Sequence, residues 1–184
     1  PGGLSVKGII FNVAEEVVTD LYGADDWDSI LASAELEGAY TSLGNYDDSE
    51  IAAIIAAASV LLEVEIEETW RIIGRYMLPL LARRIPTVTG QFDDARQFLL
   101  SVNDIIHPEV TVLYPDSVPP LFDFVDTDAG LTVRYQSARG LMALAGGLIL
   151  GCGDLFGETV TVETLDITSP TDCTFRVSFS AGRA

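Results

Sequence analysis

The feature that most constrains this chain is a change of period at His107-Pro108. Upstream, apolar residues recur every three or four positions, the spacing of amphipathic helices. Residues 7–22 carry Ile10, Val13/Ala14, Val17 and Leu21 on one such face, with Gly23 as a stop. A short second helix is expected over 24–32, with acids in its first turn, and a loop over 38–49. Ser49 then caps a helix through IAAIIAAASVLL, whose near-continuous apolar character predicts deep burial. Beyond an acidic turn at 63–68, a helix over 69–85 places Trp70, Ile73, Met77 and Leu80/Leu81 on one face. Pro79 lies inside it and predicts a kink, and Arg83 and Arg84 sit at its end. A last helix over 91–107 ends with His107, on the face of Leu100 and Asn103, and Pro108 closes it.

Downstream the pattern becomes extended. Residues 110–115 read as extended chain, and 115–120, PDSVPP, as a stiff loop. LFDFV (121–125) and LTVRY (131–135) flank a turn at 126–130, a hairpin signal. LMALAGGLILG (141–151) is a small-residue helix, and TVTVETL (159–165) and CTFRVSF (173–179) alternate as strands. Helices first, then strands with one helix between them, predict an α+β fold: an N-terminal helical part, then a four-stranded antiparallel sheet with a packed helix.

A chain of 184 residues fits one domain with a substantial core. Ten Lys and Arg against 28 Asp and Glu give a net charge of −18. Such a surface repels nucleic acid and anionic lipid, which sets both aside as partners and leaves a basic protein surface open. The longest uncharged run, 140–153, is too short and glycine-rich to span a bilayer, and no signal peptide is evident. The opening PGGLS reads as a tag remnant or extended start, so residues 1–6 are excluded from the expected fold. Two cysteines, Cys152 and Cys173, are few for a secreted scaffold and point to a reducing, cytoplasmic setting. One histidine and no CxxC argue against structural zinc.

Tyr135-Gln136-Ser137-Ala138-Arg139 carries the chemistry. If the strand continues through it, alternation puts the phenol, hydroxyl and guanidinium of Tyr135, Ser137 and Arg139 on one side. That row of donors suits an anion with several oxygens, such as paired carboxylates or a phosphate. A solvated strand end would show the same alternation. His107, on its residues alone, reads as a cap for the last helical carbonyls.

Taken together, K-G-I-I at 7–10, DLYG at 20–23, W-R-x-x-G-R at 70–75, N-x-x-x-H at 103–107, the Pro119-Pro120 pair and Y-x-S-x-R resemble the H-NOX family. These are the heme–nitric oxide/oxygen binding domains of bacterial gas sensors and soluble guanylate cyclase. The resemblance covers nearly the whole chain. It implies a single domain over 7–184, with a helical part at about 7–65 and the heme-bearing helices and sheet at about 66–184. It also implies a ferrous heme b with His107 as proximal ligand, the acid groups of the heme held by Tyr135, Ser137 and Arg139, and Pro120 pressing on the ring. Asp48 takes the place of an acidic residue near the arginine.

In the same pattern the distal positions fall at Ile10, Ala14, Met77, Leu144 and Leu148, with Leu144 where oxygen-binding members carry a tyrosine. Bound O2 is stabilised by a distal hydrogen-bond donor, whereas NO needs none. The resemblance therefore implies a sensor of NO and CO that excludes O2. Tyr76, beside Met77, would change that expectation if it turned inward, and Met77 is a candidate sixth ligand. Pro108 departs from the family pattern and is expected to end the helix at the ligand. In the family's mechanism, NO weakens the bond to the proximal histidine, the ring relaxes and the two halves shift. A histidine kinase or a cyclic-di-GMP enzyme is the implied partner in trans, and the chain itself is not an enzyme. Rival readings are an O2 sensor on the same heme, a heme peroxidase and a cofactor-free acidic interaction module. A peroxidase would lack a second histidine as distal acid–base.

Overall fold

The structure, a computed structural model, describes residues 5–127 and 130–181. A short strand β1 (Ser5–Lys7) runs into α1 (Gly8–Leu21), followed by α2 (Ala24–Ser33) and a second short strand β2 (Asn45–Asp47). Then come α3 (Asp48–Leu62), α4 (Ile66–Ala82), α5 (Pro86–Thr89) and α6 (Ala95–Leu100). A π-helical turn (Val102–Ile106) joins α6 to α7 (His107–Leu113). The rest is β3 (Leu121–Thr127), β4 (Gly130–Gln136), α8 (Met142–Phe156), β5 (Glu158–Ser169) and β6 (Asp172–Ala181). The last four strands form one antiparallel sheet in the order β3-β4-β6-β5. The expected α+β architecture is the one observed.

Several local expectations change. Ser5 and Val6 belong to the fold, because β1 pairs antiparallel with β2 and Val6 is buried. That pairing also places a strand inside the expected loop over 38–49. Residues 1–4, 128–129 and 182–184 lie outside the described set, and with them part of the turn expected over 126–130. The cap of α3 is Asp47, whose carboxylate accepts from the Ser49 N–H at 2.9 Å, so Ser49 is the donor. α3 is not buried all round. Ile51, Ile54, Ile55 and Ala58 face the core, while Ala52, Ala56 and Val60 are exposed. Its outer face is smooth alanine, which continuous hydropathy does not distinguish from a buried one.

The largest correction is at Pro108. The chain neither stops nor extends there, and 107–113 is helical. Proline sits in the first turn of α7, where its missing N–H leaves no helical bond unmade. Just upstream the ladder widens: the Ile106 N–H donates to the Ser101 carbonyl, and the His107 N–H to that of Val102, five residues back. His107 thus joins two helical segments and does not cap one, and the extended reading of 110–115 fails for the same reason.

Two cores result. The first gathers β1, α1, α2, α3 and the inner face of α4, including Ile73, Met77 and Leu80, so α4 packs with the helical part that was expected to end near 65. The second gathers α6, the π-turn, the sheet and α8. α4 and α8 join them at very close quarters. A Cβ on Gly74 would stand 2.5 Å from the Leu144 carbonyl, one on Gly151 would stand 2.5 Å from that of Arg75, and one on Gly147 would collide with that of Arg71. Arg75 Nε and Nη2 clasp Asp154 at 2.6 and 2.8 Å across the same crossing.

Candidate functional site

Between the two cores lies a cavity of about 300 Å³. From the first core it takes Ile9, Ile10, Ile51, Trp70 and Leu81; from the second, Leu78, Phe98, Leu99, Val102, Ile106, Phe122 and Val110. α8 contributes Leu144, Ala145, Leu148, Ile149 and Cys152. The wall is thus overwhelmingly apolar, and the polar exceptions carry the chemistry.

His107 is the first exception. The wide turn before it sets its direction, and Asn103, one turn earlier, anchors that turn to the sheet. Asn103 Nδ2 donates to the Phe122 carbonyl at 2.5 Å and its Oδ1 accepts from the Phe122 N–H at 3.2 Å. The Phe122 ring then lies between His107 and Tyr135, with centroids 6.0 and 5.6 Å away. Burial pushes the His107 imidazole down to about 4, so at neutral pH it is uncharged with a free lone pair. A neutral, half-buried imidazole facing an apolar cavity has the protonation state that a metal ligand requires.

The second exception is a polar cluster at one end. Tyr135 is the next-to-last residue of β4, is 2% exposed, and burial raises its phenol above the ordinary range. β4 stops at Gln136, so the alternation that put Ser137 and Arg139 beside Tyr135 does not extend to them. A tight turn brings all three to the cavity instead: the Gly140 N–H donates to the Ser137 carbonyl at 3.2 Å, and the Arg139 N–H to Ser137 Oγ at 3.3 Å. Arg139 reaches across the lobes. Nη1 donates to the Val118 carbonyl at 3.4 Å, Nη2 to that of Ser5, and Nε faces Asp48 Oδ2 at 3.3 Å. Asp48 is therefore the arginine's acidic neighbour. Three buried polar atoms among the described residues still lack a hydrogen-bond partner: Asp48 Oδ1, Arg139 Nε and Ser117 Oγ.

Pro120 lines the cavity beside His107, as do Ile10, Leu144 and Leu148. Ala14 and Met77 do not. Both are fully buried in the first core. Tyr76 is 46% exposed on the outer side of α4. Sequence reasoning missed Trp70, Ser117 and the Asn103–Phe122 anchor as parts of the site. Only Asn103 carried a signal, its spacing of four from His107. Among the described residues no group of three His, Cys, Asp or Glu could hold a metal, and no helix is long and apolar enough to cross a membrane. Both cysteines are free and buried, with thiols pushed up to about 12 (Cys152) and about 11 (Cys173) by that burial.

The donor set fits a large apolar molecule that carries acid groups at one edge and a metal that accepts an imidazole. Comparison with known proteins points the same way. The Haem-NO-binding family model matches residues 7–164. An H-NOX protein from S. oneidensis in the Fe(II)NO ligation state is 27% identical with a TM-score of 0.86, over 95% of this chain and 99% of that one. An Fe(II) unliganded H-NOX protein from K. algicida is 27% identical with a TM-score of 0.83, over 96% and 98%. The H-NOX domain of Shewanella oneidensis in the Fe(II)CO ligation state is 27% identical with a TM-score of 0.84, over 95% and 99%.

Proposed function

The chain belongs to the Haem-NO-binding (H-NOX) family of heme-based gas sensors, and from that premise we propose that it senses NO, and binds CO, at a ferrous heme b seated in the inter-lobe cavity. The observation that carries this reading is the neutral, half-buried His107 in the same cavity as a cation-and-hydroxyl cluster. His107 is the protein ligand to iron, and Tyr135, Ser137 and Arg139 receive the acid groups. When bound, the heme supplies an iron with one open position for a diatomic gas. Pro120 and Phe122 hold the ring's place beside His107. Ile10, Leu144 and Leu148 offer a gas no hydrogen bond, which favours NO and CO over O2.

Signalling would use the Arg139 connections to Ser5 and Asp48, which tie the two lobes at the cavity's polar end. A shift of one lobe against the other is the two-state element a ligand could bias. The reader of that shift is a partner in trans, a histidine kinase or a cyclic-di-GMP enzyme, in a reducing cytoplasmic setting. The chain carries no catalysis of its own.

One observation favours the O2-sensor alternative: Trp70 lines the cavity and its indole is a donor. Absorption spectra decide. The anaerobic reduced protein is expected to show a Soret band that moves with NO and with CO, and air is expected to leave no stable oxygenated spectrum. An air-stable oxygenated form abolished by Trp70→Phe would install the O2 reading. A colourless protein that cannot be reconstituted with heme would leave the acidic interaction module.

A further inference from the structure

The loop between α7 and β3 holds a group that neither the strand motif nor the histidine accounts for. Ser117 lines the cavity, its Oγ is buried, and among the described residues nothing hydrogen-bonds to it. A buried hydroxyl without a partner costs about 1–3 kcal/mol, so its persistence in a built loop calls for a partner that the protein chain does not supply.

The loop is shaped to put it there. The Ser117 N–H donates to the Tyr114 carbonyl at 3.2 Å, closing a turn with Pro115 at its second position. Asp116 takes the third with φ of 68°, a conformation that glycine or asparagine adopts more readily. Ser117 is also at the polar end: its neighbour Val118 gives its carbonyl to Arg139 Nη1. Of the three buried atoms without a hydrogen bond, Arg139 Nε already faces Asp48 Oδ2 at 3.3 Å and Asp48 Oδ1 belongs to that same carboxylate, which leaves Ser117 Oγ outside the ion pair. Ser117 Oγ can donate, and a carboxylate entering this end of the cavity would satisfy it.

We propose that the Ser117 hydroxyl is a further anchor for an acid group of the bound heme, donating from the loop side while Tyr135, Ser137 and Arg139 donate from the strand side. This rests on the heme reading above. It adds a donor from the segment that joins the His107 helix to Pro120, so the acid groups are held to the same loop that carries the ring's neighbour.

The test compares heme release from the ferric wild type, Ser117→Ala and Ser117→Thr into excess apomyoglobin, with resonance Raman spectra of the propionate bending region. Ser117→Ala is expected to release heme about tenfold faster, the loss of one bond to a charged group, with its propionate band shifted. Ser117→Thr, which keeps the hydroxyl, should stay closer to wild type in both. Equal release and an unmoved band in Ser117→Ala would overturn the anchor and leave the heme reading standing. A wild type that takes up no heme would overturn both.

Discussion

His107 shows how a single side chain takes its role from its surroundings. Its sequence neighbours suggested a helix cap, whereas the helix continues past it and burial keeps it neutral. Two outcomes follow. Replacing it with glycine removes the one imidazole, so His107→Gly protein should purify without heme and regain a Soret band when imidazole is supplied. Heme retained in that variant without imidazole would place the ligand elsewhere. The second concerns the protein stripped of heme. With a folded value of about 4 against 6.5 when unfolded, the unfolded state binds the extra proton between those limits. The stability this neutral imidazole allows is therefore present above about pH 6.5 and lost as pH falls towards 4. The loss should reach at most about 3 kcal/mol in urea titrations. A His107→Gln variant should show a flatter pH dependence over that window. Tyr135, Ser137 and Arg139 were legible because their residue types are donors at regular spacing, even though a turn and not a strand delivers the last two. Ser117 and Trp70 were not, since a loop serine and a helix-face tryptophan look the same whether they meet a ligand, solvent or core.

Among the elements, the α4–α8 crossing is the one whose failure would reach the site. Gly74, Gly147 and Gly151 let the two helices approach until backbone meets backbone, and Leu144 and Leu148 project into the cavity from the same stretch of α8. Gly147→Ala places a methyl group against the Arg71 carbonyl, which can yield only if a helix moves. That variant should lose about 1–3 kcal/mol in thermal or urea unfolding, with heme affinity reduced alongside. An unchanged midpoint would mean that the crossing is looser than its glycines indicate. The small-residue character of α8 was visible in the sequence, but its partner was not, because pairing between residues 74 and 147 has no local signature. The same limit explains α6, the π-turn and α7. A proline after a helix normally reads as a stop, and only the tertiary fold, with Asn103 fastened to Phe122 on β3, makes a wide turn followed by more helix the better solution. The alternating strands, by contrast, were legible because the period is local and β4 and β6 each bury one face, whereas the order β3-β4-β6-β5 has no local signature.

At the scale of the molecule, the two lobes are held by apolar packing against a surface that repels itself. The chain carries 28 acids and 10 Lys and Arg. The seven ion pairs among the described residues engage one acid each and leave most of the 28 without a cation. Most of those pairs are well exposed, Arg176–Glu163 at 40% and 62% for instance, and exposed pairs contribute about 0–1 kcal/mol each. Repulsion among the remaining acids acts over the Debye length, which shrinks from about 30 Å at 0.01 M salt to about 3 Å at 1 M. Salt weakens both terms, but the unpaired acids outnumber the pairs, so the net effect of screening is stabilising. The melting temperature should therefore rise as sodium chloride increases from about 0.01 to 0.5 M. The Arg139–Asp48 link is the exception to watch, since it is only 20% and 26% exposed and spans the lobes at the cavity's polar end. Asp48→Asn would remove its charge while keeping its shape, so a variant that melts like the wild type at high salt and lower at low salt would mark the link as electrostatic. A wild type whose melting point falls with salt would show instead that the clasped pairs, Arg75–Asp154 first among them, outweigh the surface they sit in.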